Sequence, residues 1–159
     1  IVPEPGVVIS DDKTQISVLG GGDSVTFNNE DDRGLVLRLN TGANSMLFPG
    51  DITINRELDL MHREEDLPAT LLLSPHHGSA TSNSPEFLRA VSPEWLIISS
   101  GISSSSHFPA PRTLESAKRL GIPILTTATD GTIAITMFAD GDGYLLTRMN
   151  GQKRYWRDS

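Results

Sequence analysis

The middle of the chain alternates between apolar runs and amphipathic segments, and this alternation constrains the fold more than any other feature of the sequence. ATLLLS at residues 69–74 is a continuous apolar run, which is typical of a buried strand. The change of pattern recurs in SPEFLRAV at 84–91, WLIISS at 95–100, PRTLESAKRLG at 111–121 and PILTT at 123–127. Ser84 with Pro85 suits the start of a helix, and Gly121 suits the end of one. The alternation of strands and helices predicts an α/β fold.

Short extended segments lie on both sides of this region. Before it, polar and glycine-rich turns separate four predicted strands, at residues 7–10, 14–19, 34–39 and 45–48. Ile54, Leu58 and Met61 then recur at helical spacing, which predicts an amphipathic helix to about residue 64. After the alternating region, residues 131–138 and 143–149 are predicted strands, and the Asp-Gly pair between them favours a hairpin.

The size and composition of the chain exclude several classes of protein. Its 159 residues suit one domain, whose folding removes roughly 70% of the unfolded surface from water. The 20 acidic and 13 basic side chains give a net charge of -7, which repels nucleic acid unless a basic patch or a metal offsets it locally. No cysteine is present, so disulfides and thiolate metal sites are excluded. No apolar run approaches the ~20 residues that span a bilayer, and the start at Ile1 predicts a piece of a longer protein.

Residues that commonly bind metals follow two of the predicted strands. Asp51 comes after the strand at 45–48, and His76 and His77 come after the apolar run at 69–74. Functional groups of an open α/β sheet lie beyond the carboxyl ends of strands, and zinc takes imidazole and carboxylate ligands where thiolates are missing. Two alternatives stay open: Asp51 caps the following helix, or the histidines belong to a surface loop. Three groups are also too few for a two-metal site.

Three other polar residues are candidates for a role near this site or for a solvated surface. His107 follows the strand at 95–100 and a serine-rich loop, so we assign it to substrate contact. Ser79 directly follows His-His-Gly and is a second candidate for substrate contact, with a helix cap or a loop hydrogen bond as its alternative. His62 lies in the charged stretch MHREED, where we expect a solvated helix face.

Several motifs occur together in an order that matches one protein family. They are NN at 28–29, GLVLRL at 34–39, LFPGDI at 47–52, SPHHGSATSNSPEFL at 74–88, IISSG at 97–101, PAPRTLESAKRLGI at 109–122 and TDGTIAIT at 129–136. This order resembles the C-terminal half of the metallo-β-lactamase-like domain of the ComEC family, competence proteins that form an inner-membrane channel for DNA uptake. The resemblance covers about residues 7–138, and GDI followed by HHGS is its most specific part.

The resemblance implies a fold, a domain organisation and a location. The fold is half of a metallo-β-lactamase αββα sandwich, a mixed β-sheet with helices mainly on one face. Residues 1–159 are then one domain, the C-terminal part of a metallo-β-lactamase-like domain of a longer inner-membrane protein, soluble and on the outer side of that membrane. Its partners are the missing N-terminal half, the membrane channel domain of the same polypeptide, and a second copy of the chain, because a half sandwich leaves an apolar sheet face uncovered.

The resemblance also implies metal-dependent phosphodiester hydrolysis, a nuclease activity on incoming DNA, with the DNA single strand as partner. In that family the aspartate of GD bridges two metal ions and a histidine of HHGS completes the site, so the resemblance assigns these roles to Asp51 and to His76 or His77, with zinc or manganese as the metal. By analogy with phosphorylcholine esterases of the same fold, His77 is the metal ligand and His76 the catalytic acid–base group. The alternative is a metal-free, degenerate domain that binds DNA or supports the uptake channel.

Two departures from the family pattern bear on the site. The H-x-D-x-D-H motif, which supplies most of the family's metal ligands, does not occur in the chain, so we expect an incomplete and inactive site in the chain alone. The family's loop near Pro-Ala-Pro has the order Gly-His-Pro, whereas here His107 is followed by Phe108 and Pro109. His107 is therefore one step out of register with its family counterpart.

Overall fold

The computed structural model describes residues 6, 8–20, 29–63, 65–101, 108–140 and 143–149. The strands are β1 (Val8–Ser10), β2 (Thr14–Gly20), β3 (Val36–Thr41), β4 (Asn44–Phe48), β5 (Leu71–Leu73), β6 (Trp95–Ile98), β7 (Ile124–Thr126), β8 (Thr132–Met137) and β9 (Tyr144–Met149). The helices are α1 (Ile54–His62), α2 (Pro85–Val91), α3 (Pro111–Arg119) and the short α4 (Thr127–Asp130). Val7, Asn28, His107 and part of the predicted hairpin turn lie outside the described residues.

Strands β1 to β7 form one mixed sheet in sequence order. The first four strands are antiparallel, because short turns reverse the chain between them. Strands β4 to β7 are parallel, because a helix or a long connection returns the chain after each strand. The α/β class and the mixed sheet are confirmed. No helix in the described ranges is long and apolar enough to cross a membrane.

Helices α1, α2 and α3 pack on one face of this sheet and bury most of the core. Successive residues of a strand point to opposite faces, so Leu47, Leu72 and Leu96 point to the helices. They meet Phe87 and Leu88 of α2, and all five side chains are fully buried. This layer gives the strands a fixed position relative to the loops at their carboxyl ends.

The opposite face of the central strands is covered by a second, two-stranded sheet made of β8 and β9. The expectation of one sheet with an uncovered second face is corrected here. Ile133, Ile135 and Met137 alternate along β8, which gives the hairpin one apolar face, and that face packs on Met46 and Ile97. Alternation along β8 is visible in the sequence, but the surface that buries it is set by the tertiary fold.

The β8–β9 hairpin is also attached by polar contacts. The Tyr144 hydroxyl donates a hydrogen bond to Glu94 Oε2 at 2.8 Å, and Asn44 Nδ2 donates to the Gly143 carbonyl at 3.0 Å. At the other end of β9, an Arg148–Asp130 ion pair joins the hairpin to α4. These contacts fix the position of the hairpin along β4 to β6.

Tyr144 should lose its proton at higher pH than an ordinary tyrosine. Burial, with a smaller contribution from the Glu94 carboxylate, raises the pKa of Tyr144 to about 12. An unfolded tyrosine has a pKa of about 10, so the folded chain retains this proton at pH values where the unfolded chain has lost it. The contribution of protonated Tyr144 to the free energy of unfolding is therefore fully present below about pH 10 and is lost as the pH rises through about 12.

Absorbance titration of phenolate checks this in a Tyr155→Phe background, which leaves Tyr144 as the one remaining tyrosine. We expect a midpoint near 12. Glu94→Gln should lower that midpoint, since it removes the charge beside the phenol. A midpoint near the ordinary value of about 10 would contradict the packing of the hairpin on the sheet.

Candidate metal centre

The loop after β4 carries Asp51 at the carboxyl end of the sheet. Gly50 makes the turn with a φ of 67°, and the side chain of Asp51 is 54% exposed. The N-cap of α1 is Thr53, whose hydroxyl oxygen accepts a hydrogen bond from Asn55 N at 3.3 Å. The alternative that Asp51 caps this helix is therefore wrong.

A buried carboxylate that the sequence analysis did not single out holds this loop. Asp32 lies in the short helical turn Asp31–Arg33 and is 1% exposed. It accepts hydrogen bonds from Thr53 N at 2.7 Å and from the Thr53 hydroxyl at 2.9 Å. The sequence places Asp32 in an acidic turn, and nothing in its local pattern indicates burial.

The two histidines lie in a tight turn directly after β5. The turn Pro75–Gly78 places His76 at φ 49° and His77 at φ 56°, in the left-handed region. Adjacent side chains of a strand would diverge, but the strand has ended, and the two rings lie 6.4 Å apart. Both rings also contact Phe108, with centroid distances of 5.7 Å for His76 and 6.3 Å for His77. Each left-handed residue costs roughly 1–2 kcal/mol, so the surrounding contacts must hold this turn.

His77 presents one ring nitrogen towards Asp51. Its Nδ1 lies 2.8 Å from the Ser99 carbonyl, which can only accept, so the neutral ring carries its proton on Nδ1. The lone pair is then on Nε2, which lies 3.8 Å from Asp51 Oδ1. A zinc–nitrogen and a zinc–oxygen bond together span about 4.1 Å, so one ion can contact both atoms. The pair fits a metal, and the carbonyl partner is the kind of support that metal-binding histidines have.

The Nδ1 atom of His76 differs from that of His77 in its hydrogen bonding. The Nδ1 of His76 is buried and has no hydrogen-bond partner within the described part of the chain. The backbone N–H of His76 donates to the Gly50 carbonyl at 3.0 Å. This bond ties the turn Pro75–Gly78, the histidine turn, to the loop that carries Asp51 after β4, the Asp51 loop. The acid–base role of His76 stays a prediction.

Further contacts join the segment after HHGS to the Asp51 loop. The Ser82 hydroxyl donates to the Ile52 carbonyl at 2.7 Å, and Ile54 N donates to the Thr81 carbonyl at 2.9 Å. Ser82 is 2% exposed, so its hydroxyl is committed to this contact. The two loops therefore form one unit, and the spacing between Asp51 and His77 depends on it.

The hydroxyl of Ser79 contacts its own loop. Ser79 is 6% exposed, and its hydroxyl oxygen lies 2.9 Å from Thr81 Oγ1 and accepts from Thr81 N at 3.2 Å. Its hydroxyl thus serves the loop, and its substrate contact stays a prediction. His62 is exposed at the end of α1, and His107 lies outside the described residues. The described residues contain no group of three or more histidine and acidic side chains that could hold a metal ion.

Comparison with known proteins gives relatives but no family model, since none matches the chain. Over 132 residues, 81% of the chain, it is 33% identical to "Competence protein ComA" of Neisseria gonorrhoeae. It is also 34% identical to "ComE operon protein 3" of Bacillus subtilis over 62% of the chain, and 31% identical to "Recombination protein 2" of Haemophilus influenzae over 66%. The aligned part is 19% of the first relative and 13% of each of the other two.

Proposed function

From this similarity to a competence protein, we propose that the chain is part of a DNA-uptake protein and contributes to a metal-dependent phosphodiesterase centre that acts on DNA. The observation that carries the chemistry is the 3.8 Å separation between His77 Nε2 and Asp51 Oδ1. It combines two ligand types that zinc or manganese accepts, at a distance that one ion can span. The printed names of the relatives, competence and recombination, favour DNA as the substrate.

Each residue of the centre has a different proposed role. Asp51 and His77 would hold the metal, and the Ser99 carbonyl would keep Nε2 of His77 as the donor atom. A bound ion would supply a hydroxide nucleophile by lowering the pKa of its water to about 7. His76 would transfer a proton to or from the reacting group, since its ring lies beside that of His77. The metal charge would also offset the repulsion between a chain of net charge -7 and DNA phosphates.

The remaining ligands would come from an N-terminal half of the same domain, completing the αββα sandwich of a metallo-β-lactamase-like fold. Beyond the β8–β9 hairpin, the apolar face of the large sheet continues over Leu39, Ile16 and Ile9, which are paired across β3, β2 and β1. Ile9 is 68% exposed, so the end of this face offers a surface for further chain or for a second copy. The relatives are long enough to add a channel domain in the inner membrane, as the ComEC resemblance implies.

A metal-free module that binds DNA or supports the channel is the second candidate. One observation favours it: the described residues do not bring a third ligand to Asp51 and His77. The two candidates differ in metal content once the protein is expressed with whatever coding sequence precedes Ile1. Two bound metals per chain support the nuclease, and none supports the module.

Histidine variants of that extended protein should give different results at the two positions. His77→Ala should lower metal content and cleavage of single-stranded DNA together, because it removes a ligand. His76→Ala should retain metal and slow turnover by about 10²-fold, the effect of losing a positioned proton-transfer group. His62→Ala is the matched control, since His62 is exposed at the end of α1. Metal loss in the His76 variant but not in the His77 variant would reverse the assignment.

A further inference from the structure

We propose that Asn83 is a positioning residue that fixes the peptide before His76, and thereby orients the His77 ring towards Asp51. Asn83 is 2% exposed and has a φ of 60°. Its side-chain Nδ2 donates to the Pro75 carbonyl at 3.1 Å, and its Oδ1 accepts from the Ser74 hydroxyl at 2.7 Å. The catalytic consequence rests on the function proposed above, but the orientation itself can be measured without metal or substrate.

The contact with Pro75 holds the first peptide of the histidine turn. The Pro75 carbonyl belongs to the peptide plane between Pro75 and His76, so holding it sets the entry into the left-handed turn. His76 and His77 are consecutive left-handed residues, and such a pair persists only when its surroundings over-determine it. With this peptide held, Nδ1 of His77 meets the Ser99 carbonyl at 2.8 Å.

Asn83 is in turn held by a buried carboxylate on α1. Glu57 is 0% exposed, and its Oε1 accepts from Asn83 N at 2.5 Å while its Oε2 accepts from Ser84 N at 3.0 Å. Burial raises the pKa of Glu57, and the hydrogen bonds from Ser84 and Asn83 act in the opposite direction. Because α1 begins shortly after Asp51, Glu57 and Asn83 link the two loops that carry the candidate ligands.

The variant Asn83→Gly tests the side chain separately from the backbone. Glycine adopts a positive φ freely, so the backbone conformation is retained while both amide hydrogen bonds are lost. Ser92→Gly is the matched control, because Ser92 is also left-handed at φ 48° but lies exposed at the end of α2. It introduces the same residue at a left-handed position away from the histidine turn.

The measurement is the tautomer of His77, read from long-range proton–nitrogen correlation spectra of the ¹⁵N-labelled 159-residue chain. All variants are compared at the same mildly alkaline pH. We expect the parent chain and Ser92→Gly to have a protonated Nδ1 on His77. In folded Asn83→Gly the His77 signals should shift towards the Nε2-protonated form, because the ring is released from the Ser99 carbonyl. Single histidine substitutions assign the signals.

An unchanged His77 spectrum in folded Asn83→Gly would overturn the assignment of Asn83. Should that variant fail to fold, Ser74→Ala decides, since it removes the hydroxyl that Asn83 Oδ1 accepts from. A shift of the His77 signals then supports positioning through Asn83, and an unshifted spectrum rejects it. The DNA-cleavage proposal fails independently, if the extended protein retains cleavage when Asp51 and His77 are replaced.

Discussion

Replacing Asp51 by alanine should lower DNA cleavage by the extended protein more than about 10³-fold, which corresponds to about 4 kcal/mol of transition-state stabilisation. The size follows from the proposed role of Asp51 as a metal ligand, since a bound ion would contribute several kcal/mol of charge stabilisation. The same change should alter the free energy of unfolding by less than about 0.5 kcal/mol. Asp51 is 54% exposed and is not the N-cap of α1, so little packing or capping is lost.

Asp12→Ala is the control for this experiment. Asp12 is also an exposed acidic residue in a turn, but it precedes β2 at the other end of the sheet. It changes the net charge by the same amount, so an effect common to both variants would reflect long-range electrostatics with DNA. Metal content, cleavage rate and urea unfolding should be measured for both variants. Full activity and full metal content in Asp51→Ala would exclude Asp51 as a ligand.

The sequence predicts that Asp51 and His77 lie close together, because this prediction depends only on which strands the two residues follow. Asp51 follows β4 and His77 follows β5, and these strands pair in parallel, so their carboxyl ends meet at one edge. The apolar runs place these strands and helices with ends within two residues of the observed ones. The strand topology brings both residues to that edge, whereas the orientation of the His77 side chain depends on the loop contacts described above.

The supporting residues could not be predicted in this way. The periodicity of α1 puts Glu57 on its polar side, yet Glu57 is fully buried because its carboxylate meets Asn83 N and Ser84 N. Carboxylates are rarely buried without partners, and here the partners lie 26 and 27 residues further along the chain. The local sequence around Asn83 predicts a loop and gives no sign of burial. Contacts of this kind depend on where two loops meet, which local patterns do not record.

Gly78→Ala should destabilise the chain by about 2–4 kcal/mol, the sum of a left-handed conformation and local crowding. Gly78 has a φ of 82°, and a Cβ there would lie 2.8 Å from Pro109 Cβ and 3.2 Å from Ile98 Cγ2. Neither neighbour can move easily, because Ile98 is fully buried in β6 and Ala110 N, next to Pro109, donates to the Gly78 carbonyl at 2.9 Å. The histidine turn would have to separate from the Phe108–Ala110 segment.

Gly121→Ala isolates the backbone contribution to that loss. Gly121 has a φ of 70° after α3, and a Cβ there would meet nothing within 4 Å, so this variant should lose only about 1 kcal/mol. Urea unfolding followed by circular dichroism gives both values, and their difference is the cost of crowding at the histidine turn. Equal losses in the two variants would contradict the close packing of Gly78 against Pro109. A larger loss in Gly78→Ala, with a changed His77 spectrum, would tie the stability of this segment to the orientation of the candidate ligand.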